Sequence, residues 1–191
     1  MFKDLVLKNR SCRGYDAGRA VTREELLYLA DCARLAASSG NVQPLKYYLV
    51  STKEEAARIQ PLTKWAAALP DMTLPHPDKC PPAFIVICQD EQVDSAQTKY
   101  LRDVGIAAQT ILLAATEQGL GGCMIGNFHA GKLSETLGLA QHIRPMLVIA
   151  IGAPDETIIL AEAQPDGNVA YYRDENGVHY VPKRRLADVI L

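Results

Sequence analysis

Ala83-Phe84-Ile85-Val86-Ile87-Cys88 is an uninterrupted apolar run, closed by Pro81-Pro82 on one side and Gln89-Asp90 on the other. A strand exposed on one face alternates apolar and polar residues; a run without alternation reads as a strand buried on both faces. A few residues on, Tyr100, Leu101, Val104, Ala108, Ile111, Leu112 and Ala115 recur at helical spacing, which predicts one long helix over Asp94–Gln118. Many flanking positions are alanine, so that helix packs closely, and Gly119 closes it. A strand covered on both faces beside a central helix argues for an α+β sandwich with its sheet covered by helices.

The flanking sequence is consistent with that architecture. Residues 1–9 predict a short helix with Phe2, Leu5 and Val6 on one face. Thr22 with Glu25 three residues on forms a capping box, and Leu26, Leu29, Ala30, Ala33 and Ala37 follow at helical spacing. Ser38-Ser39-Gly40-Asn41 stops that helix, and Lys46–Ser51 reads as a strand. Residues 53–60 read as helix. Residues 61–82 hold six of the chain's eleven prolines; only Lys64–Leu69 reads as helix there, and the rest as an irregular excursion. Cys123–Ile125 reads as a short strand, Lys132–Leu137 as a short helix ending at Gly138, and Met146–Ile151 as a buried strand. Val169–Arg173 and Val178–Val181 flank Asn176-Gly177, a hairpin signal. The length of 191 residues fits one domain over 1–191, ending in a tail at 182–191.

Lysine and arginine number 20 against 22 acidic residues, and this slightly acidic balance gives no global signal for nucleic acid. No apolar run reaches the length of a membrane span, and Met1-Phe2-Lys3-Asp4 opens no signal peptide, so a cytoplasmic location is expected. The cysteines, Cys12, Cys32, Cys80, Cys88 and Cys123, are odd in number and contain no C-x-x-C, which argues against a disulfide framework or a zinc site. His76, His129, His142 and His179 form no metal spacing, and Cys88 and Cys123 read as core rather than nucleophile.

Three segments have the residue types for ligand chemistry. Arg10-Ser11-Cys12-Arg13 and Lys183-Arg184-Arg185 are the tightest basic clusters. Arginine offers a planar fork of donors that matches phosphate oxygens, and a neighbouring hydroxyl adds another. In an extended tail Lys183 and Arg185 point the same way and Arg184 the other. Taken singly, each cluster reads as solvated surface charge before it reads as a site. Ser38-Ser39-Gly40-Asn41-Val42-Gln43-Pro44 joins a helix end to a strand; its small side chains and glycine let backbone amides approach a ligand, while Asn41 and Gln43 suit a heterocycle edge. Alone it reads as a helix stop and loop before it reads as a site. Gly119-Leu120-Gly121-Gly122-Cys123-Met124-Ile125-Gly126-Asn127 follows a helix rather than a strand, so it is not a dinucleotide fingerprint, but its N–H groups are suited to face a flat cofactor.

In this order the segments resemble the FMN-dependent nitroreductase family. Asn9-Arg10-Ser11-Cys12-Arg13-Gly14-Tyr15 is similar to the family's R-S-x-R-x-aromatic opening, and Ala37 to Pro44 to its P-S-S-G-N-x-Q-P segment. Asp103-Val104-Gly105 through Gly119-Leu120-Gly121 is similar to its long helix and glycine turn, and Val181-Pro182-Lys183-Arg184-Arg185-Leu186 to its closing P-K-x-R-L. Ala37 stands where the family has proline, and Asn9 where many relatives have a further arginine. The resemblance implies a central mixed β-sheet covered by helices and a homodimer with FMN at the subunit interface. It implies that Arg10, Ser11 and Arg13 grip the ribityl phosphate, with Lys183 and Arg185 closing over it. It also implies that Ser38, Ser39 and Asn41, with Gln43 in the same segment, come from the partner subunit and touch the isoalloxazine ring or ribityl chain. By the same resemblance Ile125 and Gly126 are expected to lie against the ring, with a backbone amide near N5, and Arg13 is the candidate to stabilise the reduced flavin near N1.

The implied activity is ping-pong hydride transfer from NAD(P)H through bound FMN to a small organic acceptor, such as a nitroaromatic or a quinone. No catalytic side chain is needed, because the cofactor carries the redox step and no metal is called for. Two alternatives stand beside it: a flavin-binding or storage protein without useful turnover, and a relative acting on flavin itself or on halogenated substrates. The compact 61–82 segment is placed to govern substrate access.

Overall fold

The computed structural model describes residues 1–67, 69, 72–96 and 98–191. Ala68, Pro70 and Asp71, in the proline-rich excursion, and Gln97, in the predicted long helix, lie outside the described residues.

The central sheet has four strands: β1 (Leu45–Val50), β2 (Ala83–Asp90), β3 (Gly121–Ile125) and β4 (Ile143–Gly152), in the order β1-β2-β4-β3. All eight residues of β2 are buried, as the unbroken apolar run predicts. Its alternate residues serve two cores. Ile85 and Ile87 join Ile149 and Ile151 of β4 against Leu26, Leu29 and Ala33 of α2 (Arg23–Arg34) and Val104, Ala108, Ile111 and Leu112 of α4 (Leu101–Glu117). Phe84, Val86 and Cys88 join Val148 and Ala150 against Ala56 and Ile59 of α3 (Lys53–Ile59) and Leu133 of α5 (Ala130–Leu137). Helices therefore cover both faces, and the α+β sandwich stands.

Every pairing within this sheet is antiparallel, so the expectation of a mixed central sheet is corrected. Parallel pairing occurs at its margin, in the single bridge Ser11↔Gly122, and in a second sheet. Cys88 pairs with Pro145 across a bulge next to Ile87↔Leu147. Proline has no N–H to give the ladder, which fits a break at that point.

The second sheet has the order β5-β7-β6, from β5 (Ile158–Glu162), β6 (Tyr172–Arg173) and β7 (His179–Lys183). β5 runs parallel to β7 and carries a short apolar stretch that the sequence reading left without an element. The predicted hairpin is present, with a shorter first strand and a second strand that runs on to Lys183. Asp174 organises its turn by accepting from the N–H of Asn176 and of Val178, both at 2.9 Å, and Gly177 takes the positive φ of 75° that the turn needs.

Two helix expectations are corrected. The long helix begins at Leu101 rather than Asp94, because Asp94 holds its own segment in a turn. The Asp94 carboxylate accepts from the N–H of Ala96 (2.9 Å), the ammonium of Lys99 (2.8 Å) and the hydroxyl of Tyr100 (2.6 Å). Leu101, placed on the buried stripe by periodicity, faces outward. The Lys64–Leu69 helix is absent over its described residues. Lys64 donates its N–H to the carbonyl of Asn127 (2.9 Å) next to the Thr63↔Phe128 bridge, and Ala66 has a positive φ. At the N-terminus, α1 (Phe2–Lys8) forms as expected.

Candidate functional site

The chain leaves α1 and runs beside the open edge of β3. There Cys12 N–H donates to the carbonyl of Gly122 (2.9 Å). Packing against β4 and α4 requires glycine at 122: a Cβ there would run into the carbonyl oxygen of Ala150 and lie 2.7 Å from Leu112. Asn9 ties the same segment to α4, donating from its side-chain amide to Thr116 Oγ1 (2.9 Å) and accepting from Gln109 (3.4 Å).

Arg10, Ser11 and Arg13 line one cavity of 340 Å³ with Lys183 from the end of β7. Residues from opposite ends of the chain thus line one cavity. Gln109, Met124, Tyr171 and His179 also face this cavity and escaped the sequence reading. For Met124 the signal was available. Cys123 and Ile125 point into the core beside α5, and strand alternation sends Met124 to the other face. By the same alternation the buried Ile125 side chain belongs to that core, not the cavity, while Gly126 is exposed and has open space where a Cβ would be.

The cavity concentrates unpaired donors. Arg10 Nε, Arg13 Nε and His179 Nδ1 are buried without hydrogen-bond partners among the described residues, and so is Arg173 Nε close by. Arg10 spends one Nη2 hydrogen on the carbonyl of Val6 (2.8 Å), and burial lowers its pKa from the usual arginine value. Glu156 binds the layer behind the cavity: it accepts the Arg13 backbone N–H and pairs with the buried Arg173 guanidinium. Burial and then the Glu156 carboxylate push the Cys12 thiol up to about 12, and burial pushes Cys88 up to about 12. Neither is a thiolate nucleophile near neutral pH. On the other side of Arg13 lies a polar cavity of 490 Å³, lined in part by His76, Lys79 and Arg173. His76 and Cys80, four residues apart, are joined by Cys80 Sγ donating to the His76 carbonyl (3.7 Å).

Arg185 does not join Lys183. Strand β7 ends at Lys183, so the alternation that would align the two does not continue. Arg185 instead pairs with Asp188 (3.1 Å) and Glu162 (3.7 Å), and lines a different cavity together with Arg184.

The Ser38–Gln43 loop is held by Asp103 in the first turn of α4. Ser38 Oγ donates to Asp103 Oδ2 (2.6 Å), Ser39 N–H to the same oxygen (2.9 Å) and Ser39 Oγ to Oδ1 (2.8 Å). Burial alone would raise the Asp103 pKa. The donors from Ser38 and Ser39 outweigh it and hold the carboxyl below the usual range. Beyond the serines the backbone is strained: Asn41 and Gln43 both take φ of 54° without being glycine. Gln43 N–H donates to Ser38 Oγ (3.0 Å), and its side-chain amide donates to Asn41 Oδ1 (3.1 Å). Both hydroxyls are thus spent inside the chain. The loop lines none of the Arg10 cavity: Asp103 sits roughly 9–14 Å up the helix axis from Gln109 and Leu112, which do.

A family model described as "Nitroreductase family" matches residues 6–153, from α1 to just past β4, leaving the second sheet outside the match. An FMN reductase (NADPH) of Bacillus subtilis is 26% identical over 171 residues, covering 79% of this chain and 65% of the relative. The crystal structure of an FMN-dependent nitroreductase from Clostridium difficile R20291 is similar with a TM-score of 0.64 at 27% identity, covering 80% of this chain and 87% of that one. A nitroreductase family protein from Clostridium novyi NT shares the fold from end to end, with a TM-score of 0.67 at 21% identity, covering 100% of this chain and 99% of that one.

Proposed function

Because the chain belongs to the nitroreductase family, we propose that it is an NAD(P)H-dependent flavin oxidoreductase that holds FMN by its phosphate in the Arg10 cavity. One observation carries the reading: Arg10, Ser11, Arg13 and Lys183 converge on a single cavity in which buried arginine N–H groups have no partner among the described residues. A dianionic phosphate is the ligand such a donor set fits, since each charge-assisted bond contributes about 1.5–3 kcal/mol and an unmade buried one costs a similar amount.

Bound FMN supplies two-electron hydride chemistry between NAD(P)H and a small organic acceptor. The chain's own residues bind and orient. Arg10, Arg13 and Lys183 neutralise the phosphate, and Ser11 adds a hydroxyl donor. Met124 gives the flat part of the ligand an apolar surface, and the Gly126 segment can approach it through backbone.

The reading includes a homodimer in which the partner's Ser38–Gln43 loop completes each site. The loop stands away from its own chain's cavity, and Leu101 and Ile106 are exposed apolar side chains of α4, the helix whose first turn holds the loop. With the serine hydroxyls engaged on Asp103, the loop would meet the ligand through Asn41, Gln43 and backbone amides.

Visible spectroscopy of the purified protein, before and after FMN addition, followed by anaerobic NADH or NADPH, tests the proposal. We expect a flavin spectrum that the nicotinamide bleaches and that an acceptor such as a quinone restores. Arg10→Ala with Lys183→Ala should weaken FMN retention at least about a hundredfold, from two charge-assisted bonds. A protein that takes up no FMN refutes the reading.

A further inference from the structure

Arg13 is held by two side chains that lie outside the residues matched by the family model. His179 is 1% exposed, and its Nε2 lies 3.2 Å from Arg13 Nη1. A guanidinium only donates, so Nε2 accepts and the imidazole proton sits on Nδ1. Tyr171 lies beneath the same guanidinium, with Arg13 Cζ 5.1 Å from the ring centroid, and the Tyr171 and His179 rings are 5.3 Å apart at 60°. Arg13 Nη1 also donates to the Ser11 carbonyl (3.3 Å). Nη1 is therefore committed to protein acceptors. The Nε–Nη2 edge, which matches two oxygens of one phosphate side by side, has no partner among the described residues.

We infer that His179 and Tyr171 are positioning residues that lock the Arg13 guanidinium so that its Nε–Nη2 edge faces the anion in the Arg10 cavity. The inference rests on the proposed reading for the identity of that anion as the FMN phosphate, but not for the locking itself. Neutral histidine is essential to the arrangement, because an imidazolium has no lone pair to accept with and would repel the guanidinium. The surroundings keep it neutral: burial first, then Arg13 and Arg173, pull its pKa down to about 4 against the opposing Glu156 carboxylate. Arg173 arrives from β6 and Glu156 from the segment before β5. The second sheet thus places the acceptor, the aromatic shelf and the charges that hold the acceptor in its working form.

Two measurements on the full-length protein test this. The first needs no flavin. Phenylglyoxal modification at Arg13, quantified by peptide mapping, should be slow in the wild type and at least about fivefold faster in His179→Phe and in Tyr171→Leu, with the other arginines unchanged. His179→Gln keeps an acceptor and should stay within about twofold of wild type. Equal Arg13 reactivity in all four proteins overturns the inference.

The second measurement is FMN affinity in a double-mutant cycle. His179→Phe should weaken binding about tenfold when Arg13 is present and less than about twofold in an Arg13→Ala background. Equal losses in both backgrounds overturn the positioning role and leave the FMN reading standing. If the wild type takes up no FMN, that reading falls and the modification rates alone decide the inference. Circular dichroism of each variant confirms folding. If the His179→Phe protein does not fold, Tyr171→Leu carries both measurements, with the His179→Gln protein as the folded control.

Discussion

Asp103 shows how a single residue organises a loop. It is 3% exposed, yet its carboxylate meets three donors from Ser38 and Ser39. Asp103→Asn loses charge-assisted bonds and should destabilise the protein by about 1–3 kcal/mol, read from chemical denaturation. The carboxyl is held below the usual range when folded, so the folded state binds its proton less tightly than the unfolded chain does. Its stabilisation is full above the unfolded value of about 4 and drains away as pH falls through the lower folded value. The variant should therefore show a shallower loss of stability on acidification below about pH 4 than wild type. A close-approach residue makes a second prediction. Gly122→Ala would drive a methyl into the Ala150 carbonyl and Leu112, with backbone on one side unable to yield. The protein should lose about 1–3 kcal/mol or fail to fold.

At the scale of elements, local physics explains what the sequence revealed and what it concealed. The Thr22–Glu25 capping box is present as written: Thr22 Oγ1 accepts from Glu25 N–H (3.2 Å), and Glu25 accepts from Thr22 N–H (2.8 Å). Thr22→Ala should cost about 1 kcal/mol, read as a lowered Tm. The buried β2 was equally legible, because no solvent-facing position interrupts its apolar run. The convergence of Arg10, Ser11, Arg13 and Lys183 was legible only through the order of motifs, since no local pattern joins one end of the chain to the other. Arg185 was misplaced because alternation was carried past the last residue of a strand. Asp94 concealed the true start of α4, since an aspartate a few residues before a helix reads equally as a cap and as an independent turn. His179 and Tyr171 gave no signal at all. A two-residue β6 beside a five-residue β7 is too short for periodicity to say which face is buried.

For the whole molecule, the proposed site divides between two chains: phosphate residues from one, the Asn41–Gln43 turn from the other. Complementation tests this arrangement. One parent carries Arg10→Ala and Lys183→Ala, the other Asn41→Ala and Gln43→Ala. Each homodimer is defective at both sites, whereas a mixed dimer has one site with every native residue. Co-refolding equal amounts should restore about a quarter of the wild-type high-affinity FMN sites by random pairing. No recovery despite confirmed mixed dimers would place both sets of residues within one chain's site. Size-exclusion chromatography with light scattering gives the oligomeric state of each preparation.

The bridge from Ser11 to Gly122 and the bond from Arg13 to His179 together make the cavity a product of late chain closure. The first joins segments more than 100 residues apart and the second spans 166 positions, close to the whole length of the chain. Contacts of such separation pay their closure entropy before they return any energy, so we expect them to form late in refolding. On the proposed reading, uptake of added FMN then reports this closure as well as binding. During refolding, quenching of added FMN should lag behind recovery of helical circular dichroism. A chain nicked in the 163–170 segment, between β5 and β6, should keep its central sheet while its grip on the cofactor weakens.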